Sequence, residues 1–260
     1  MNDPTARWFF GVRADDVTWN EMLARIEGFI AEGTPHQIVT ANPEFVMAAR
    51  RDAEFRAIIN NAALAIPDGV GLLWAGRLLG QPLRERVTGS DGVPRIAERA
   101  AEKGWRLFLL GAAPGVAEET ARRLVMRHPG LKVVGIYAGS PATEEETYIV
   151  DLVRRARPDV LFVAYGHPRQ DKWIARNLNR LGVPVCMGVG GAFDFIAGVL
   201  PRAPAWMQRA GLEHFYRLLR QPWRWRRQVD VYYFGLLVLW RGVKLLVGKA
   251  RSFGKLLGRK

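Results

Sequence analysis

A chain of 260 residues, 49% apolar and 24% charged, has the make-up of a globular protein and the length for one large domain or one domain plus an appendage. Its net charge of +13 is unevenly spread: residues 1–200 hold 24 Lys and Arg against 23 Asp and Glu, whereas residues 201–260 hold 14 against 2. The single cysteine, Cys186, excludes an intramolecular disulfide, and the neutral body with its basic tail calls for an anionic partner at the tail: a membrane surface, a nucleic acid or a phosphorylated substrate.

The opening MNDPTARWFF lacks the basic start and long apolar stretch of a signal peptide, so the expected location is the cytosol or the cytosolic face of a membrane. Residues 17–32 place Leu23, Ile26, Phe29 and Ile30 on one helical face. The segment 36–40 reads as a short buried strand. Asn42-Pro43 breaks it and opens a helix with Phe45, Val46, Ile58 and Ile59 among its apolar members. Residues 62–66 form a second short strand that runs into Pro67-Asp68-Gly69, and Val70–Leu79 is an apolar helix ended by Gly80.

From Trp105 the alternation is regular: strand 105–111, helix 113–128, strand 131–137, helix 144–157, strand 159–166, helix 168–182, strand 183–191. Such alternation predicts an α/β fold, a mainly parallel sheet with helices on both faces, joined by right-handed crossovers. Ligands in these folds sit beyond the carboxyl ends of the strands, which selects the loops 40–42, 67–69, 111–115, 166–170 and 188–194.

The tail starts near Pro201. Residues 205–219 can form a helix, Pro222 interrupts it, and a second amphipathic helix is expected from about Trp223 to Val247. The apolar run Val231–Trp240 is too short for a transmembrane helix, which needs about 20 residues. Its tryptophans and tyrosines, interleaved with arginines, suit a membrane interface. The plainer reading is a helix docked on the protein's own core or on another subunit.

Individual residues carry competing readings. Gly111 opens a strand-to-helix turn whose free N–H groups suit a phosphate, or simply make a tight turn. It belongs to no GxGxxG motif and no acid follows about 20 residues on, which argues against a nicotinamide dehydrogenase. Asp68, fixed between proline and glycine at the sheet edge, is placed for a general base or for the N-cap of the helix that follows. Gln170 follows a buried strand and can hydrogen-bond a base or sugar. The four histidines show no metal-ligand spacing, and there is no Asp-x-Asp pair to carry a divalent metal on a nucleotide diphosphate. A leaving diphosphate must then meet arginines or backbone N–H groups. Arg217, Arg224 and Arg227 share a face if their helix is continuous, which Pro222 puts in question; a basic face toward solvent or anionic lipid is the alternative.

Six motifs in order carry a resemblance: Thr40-Ala-Asn42-Pro43-Glu44, Pro67-Asp68-Gly69-Val-Gly71, Arg86-Val-Thr-Gly89-Ser-Asp91, Gly166-His-Pro168-Arg-Gln170, Gly188-Val-Gly-Gly191-Ala-Phe193-Asp194 and Arg202 through Glu213. Together they resemble the WecG/TagA/CpsF glycosyltransferase family over residues 10–228. The resemblance implies a Rossmann-like α/β catalytic domain over residues 1–200 and a basic, helical, membrane-associating appendage over 201–260. It implies inverting, metal-independent transfer, without a cofactor, of N-acetylmannosamine or a related sugar. The donor is a UDP-sugar and the acceptor a polyprenyl-diphosphate-linked sugar, in surface-polysaccharide or teichoic acid synthesis. Asp68 matches the proposed base. Thr40, Asn42, Arg86 and Gln170 match pocket residues, and Arg217, Arg224 and Arg227 match appendage arginines. Gly111, Gly190, Gly191 and Asp194 join the expected substrate-binding set. The expected partners are the two substrates and an anionic membrane surface, with a peripheral location on the cytoplasmic face; homo-oligomer formation is left open.

Two departures are mild: Asp171 stands where the family often has Glu, and His214 where it often has an aromatic. The rivals are a cytosolic nucleotide-binding Rossmann protein and a nucleic-acid-binding protein with a basic arm. The apolar content of the tail counts against the second.

Overall fold

The computed structural model describes residues 4–204, 206–207, 213–220 and 225–257, without the side chains of residues 214, 217, 226, 227 and 248–257. An N-terminal hairpin, β1 (Ala6–Phe9) and β2 (Val12–Asp15), precedes everything expected from sequence. Its turn residues Phe10 and Gly11 both have positive φ, 53° and 83°, which suits a tight two-residue hairpin. Buried Asp15 locks the hairpin down by accepting from Arg13 Nε at 2.6 Å and from the Ala65 backbone at 2.8 Å.

Next comes α1 (Trp19–Glu32), opened by a Thr18–Glu21 capping box and closed by Gly33 in the left-handed region. The chain then runs through β3 (His36–Ala41), α2 (Pro43–Arg51), α3 (Ala53–Asn61), β4 (Leu64–Pro67) and α4 (Val70–Leu78). The single helix expected after Pro43 is therefore two. Asp52 divides it because its side chain accepts from the Phe55 N–H at 3.0 Å and restarts the helix as an N-cap. A further helix, α5 (Gly89–Lys103), fills the stretch that shows no clear period in sequence.

The remainder follows the expected alternation: β5 (Arg106–Gly111), α6 (Val116–Arg127), β6 (Lys132–Tyr137), α7 (Thr143–Ala156), β7 (Val160–Ala164), α8 (Arg169–Leu181) and β8 (Val185–Gly188). A short α9 (Ala192–Ala197) comes next, followed by α10 (Glu213–Arg220) and the long α11 (Trp225–Leu257).

Strands β3 to β8 form one parallel sheet in the order β4-β3-β8-β7-β5-β6. Alternate side chains go to opposite faces. Ile38, Leu64, Phe162 and Met187 pack under α1, α5, α6 and α9. On the other face Val39, Ala41 and Ala65 pack under α2, α3, α4 and α11, while Leu161, Val163 and Cys186 pack under α7 and α8. This is the expected Rossmann-like α/β architecture. Helix α2, after β3, lies on one face; α9, after the adjacent β8, lies on the other. A crevice opens between strands whose connections diverge in this way, at their carboxyl ends.

Helix α11 docks on the protein's own core with one face and leaves an apolar face exposed on the other. Phe234 and Val238 are buried in the core beside α2 and α4, and Phe234 meets the Phe10 ring edge-on at 5.9 Å between centroids. Arg51 on α2 makes a two-pronged ion pair with Asp230, at 2.8 and 2.6 Å. The opposite face exposes Tyr232, Leu236, Trp240 and Val243. No helix among the described residues is long and apolar enough to cross a membrane.

Phe234→Ala should destabilise the protein by roughly 3–5 kcal/mol, since it removes a fully enclosed ring. Urea unfolding monitored by circular dichroism would show it, and an unshifted midpoint would mean that α11 contributes nothing to the core.

Candidate active site

The crevice holds two adjoining cavities that share Asn42, Glu44, Asp68 and Ser90. The first, of about 210 Å³, is lined by Val70 and Gly71 of α4, Arg86, Thr88, Arg202, Glu213, and Gln228 and Val231 of α11. The second, of about 290 Å³, is lined by Thr40, Tyr165, His167, Gln170, Gly190, Gly191 and Asp194. One is thus walled by the tail, and the other lies over the sheet's carboxyl edge.

Asp68 stands where they meet. Its backbone N–H donates to the Ala41 carbonyl at 2.7 Å, fixing the loop against β3. Its carboxylate Oδ2 accepts from the Gly89 N–H at 3.2 Å, the first residue of α5. The N-cap of α4 is Gly69, which makes no side-chain cap bond, so Asp68 is not the cap that local sequence also allowed. The fit at position 89 is tight: a Cβ there would stand 3.0 Å from Thr40 Cγ2, so that methyl would have to give by a few tenths of an ångström, and 3.8 Å from the Asp68 carboxylate. Asp68 is half-buried and its side chain lines both cavities, with much of its surroundings protein rather than water. That burial pushes it up to about 7, with the Gly89 N–H and Arg86 opposing and the charges of Glu213 and Asp91 assisting.

The remaining expected residues have varied surroundings. Asn42 caps α2 by accepting from the Phe45 N–H at 2.9 Å, which leaves its amide NH₂ toward the cavities. Gln170, 1% exposed, braces two loops: its Oε1 accepts from Gly166 N–H at 3.1 Å and Gly190 N–H at 3.0 Å. Neighbouring Asp171 is fully buried, pushed up to about 7 by that burial, and lines neither cavity. The Gln170-Asp171 departure therefore falls in the packing. Gly111 also lines neither cavity. It has φ 99°, and a Cβ there would come within 2.9–3.0 Å of the Ala164 backbone, so the structure places it in the β5–β7 packing. Arg217 falls on α10 and Arg227 on α11, but their side chains, and all of Arg224, lie outside the described residues, as does the His214 side chain.

Sequence reasoning did not single out Arg202, Asp91 and Glu213, although all three lie in the quoted motifs. Arg202 Nη1 donates to Asp91 Oδ1 at 2.5 Å, and its Nε to Glu213 Oε1 at 3.4 Å. Burial alone would raise the Asp91 carboxyl, but Arg202 and the Thr88 hydroxyl outweigh it and hold it below the usual range. Their signal was a basic and two acidic motif residues far apart in sequence, which only the fold brings together. Among the described residues, no cluster of three or more His, Cys, Asp or Glu side chains is placed to hold a metal.

The raised Asp68 and Asp171 carboxyls set the sign of a pH effect. Both bind a proton more tightly folded than unfolded, so their contribution is fully present below about pH 4 and lost as pH rises through about 7. Asp68→Asn keeps an acceptor for Gly89 and removes the buried charge. It should melt above the parent at pH 8 and level with it at pH 4; equal melting temperatures at both would show that the carboxyl is not desolvated.

Comparison with known proteins agrees with this geometry. The sequence profile of the glycosyl transferase WecG/TagA/CpsF family matches residues 7–247. The match runs past Gln228, where motif resemblance alone stopped, and takes in most of α11. An N-acetylglucosaminyldiphosphoundecaprenol N-acetyl-beta-D-mannosaminyltransferase of Bacillus subtilis is 35% identical over 202 residues, 78% of each chain. Proteins of the same description are 36% identical over 194 residues in Bacillus spizizenii, 75% of each chain, and 33% over 219 residues in Staphylococcus aureus, 84% of each chain. The chain belongs to the WecG/TagA/CpsF family of glycosyl transferases.

Proposed function

We propose that this glycosyltransferase moves N-acetylmannosamine, or a closely related sugar, from a UDP-sugar to a polyprenyl-diphosphate-linked sugar, with inversion and without a metal. The observation that carries the reading is Asp68: a carboxylate enclosed at the junction of two cavities, with its pKa poised near neutrality. The names of the relatives supply the acceptor class, an undecaprenyl-diphosphate sugar, and the transferred sugar.

The donor nucleotide fits the cavity over β3, β7 and β8, where Gln170 holds the Gly166 and Gly190 loops in shape and Thr40 and Asn42 present polar groups. The acceptor fits the cavity walled by α11, because its lipid must leave toward the tail. Asp68 takes the proton from the acceptor hydroxyl, whose oxygen bonds to the donor's anomeric carbon as the bond to the diphosphate oxygen breaks. The displaced diphosphate carries the negative charge. Arg86 and the uncapped N-terminus of α4 at Gly69 face that charge from this chain. Arg217, Arg224 and Arg227 belong to the same role in this reading, Arg227 being next to the cavity residue Gln228.

The exposed apolar face of α11 and the charge of the tail support peripheral attachment to the anionic cytoplasmic surface of a membrane. A nucleic-acid partner has no use for such a face. Residues 201–260 then act as the appendage that brings the active site to the lipid, while α11 also completes the core. Truncation after Gln228 should for that reason lower stability as well as lipid binding.

Asp68→Asn should lower turnover by about 10²–10⁴ while leaving UDP affinity near the parental value. Near-parental turnover in the folded variant would remove Asp68 from the mechanism. Activity on a short-chain polyprenyl-diphosphate acceptor should survive excess EDTA; complete loss, restored by magnesium or manganese, would contradict leaving-group stabilisation by arginine and backbone groups.

A further inference from the structure

The exposed face of α11 has a neighbour in the body of the protein. Helix α4 starts at the catalytic cavity and presents Trp74, Arg77 and Leu78 outward at helical spacing, with Trp74 62% and Leu78 51% exposed. Its far end touches α11: the Leu78 carbonyl oxygen lies 3.9 Å from where a Cβ on Gly242 would stand. Around that crossing α11 exposes Leu239, Trp240, Val243 and Leu246. Lys244 Nζ sits 3.6 Å from the Trp240 ring centroid, and Arg241 is exposed beside it. The chain has no acid in α4 and none in α11 after Asp230. The two helices therefore contribute aromatic and aliphatic side chains to a joint outward surface, and the charged side chains they add around the crossing, Arg77, Arg241 and Lys244, are all cations.

We propose that this α4–α11 surface is the lipid-facing platform of the enzyme, with Trp74 and Leu78 of the catalytic body entering the headgroup region of an anionic leaflet together with the tail. The occupant follows from charge and chemistry. A surface of tryptophan, leucine and cations matches an anionic interface, where each nearby cation and each buried apolar group adds to binding. The inference rests on the reading that the tail meets a membrane, and it adds a fixed orientation. Five residues of helix separate Gly69 from Trp74, about 7.5 Å along the axis, so α4 would hold Asp68 close above the headgroups where a lipid diphosphate lies. A tail acting alone as a tether would fix no such height.

The test uses the full chain and vesicles of phosphatidylcholine with about one-third phosphatidylglycerol, the anionic fraction that draws basic residues to the surface. Trp74→Ser/Leu78→Ser changes two exposed side chains that line neither cavity. The double variant should sediment with vesicles at least about tenfold more weakly than the parent, and lose kcat/KM by a similar factor on bilayer-embedded acceptor. On a water-soluble acceptor analogue it should match the parent. Separately, Trp74→Cys can be labelled with a polarity-sensitive dye, since Cys186 is buried, and its emission should shift to the blue on vesicles. A parent that binds vesicles while the double variant binds equally and the dye does not shift would overturn the platform and leave the tail reading standing. A parent that ignores vesicles would overturn both. A concentration-dependent dimer, lost in the double variant and indifferent to vesicles, would assign the surface to a second copy of the chain and overturn the proposal.

Discussion

The site depends on one hydrogen bond made across a tight steric fit. The Gly89 N–H, at the start of α5, reaches the Asp68 carboxylate at 3.2 Å. It can do so because glycine lets that helix start approach Thr40 on β3. The bond holds a carboxylate at the edge of a parallel sheet with a helix N-terminus favouring its charge, while enclosure by the surrounding loops opposes that charge. Enclosure is the stronger effect, so the group is held near neutrality rather than at the usual carboxylate value. The base role proposed for Asp68, taking and releasing a proton at physiological pH, is suited by that compromise. The free energy spent keeping the acid enclosed has to come from the packing on both sheet faces.

The tail is part of the same arrangement. Arg202 joins Asp91, at the start of α5, to Glu213, at the start of α10. Gln228 and Val231 of α11 wall the cavity that Asp68 faces. About one and two turns further along, Phe234 and Val238 enter the core. Removing the tail would therefore open the cavity and expose apolar surface on α2 and α4 together. One side of α11 serves stability and the other remains free for an outside surface, a division set by the period of its apolar residues.

The sheet and the loops that frame the site were legible because strands and helices after Trp105 alternate at the lengths a parallel sheet requires, and because Asn42-Pro43 and Pro67-Asp68-Gly69 punctuate two short apolar strands. Helix α5 was hidden by Gly89, Gly92 and Pro94, poor helix formers that tertiary packing overrides. The hairpin β1–β2 was hidden by Arg7, Arg13 and Asp15, charges that local pattern assigns to solvent but that pair with one another or with neighbouring backbone. Asp68 could be singled out from a rigid turn at a strand end. Its neighbours Gly89, Asp91 and Arg202 could not be assigned roles from local sequence, since their parts depend on contacts across 21 to 111 residues of chain. The two-faced character of α11 was likewise beyond composition, which counts apolar residues without saying which of them meet the core.

The central claim is that Asp68 is a desolvated carboxyl titrating near neutrality. Its most direct test is carbon-13 NMR of protein labelled at aspartate side-chain carboxyls, titrated over the neutral range, with Asp68→Asn used to assign the resonance. The Asp68 signal should have its midpoint at about 7 and disappear in the variant, while the signal of Asp171, the second carboxyl raised to about 7, remains. A midpoint for Asp68 in the ordinary carboxylate range, near 4, would contradict it.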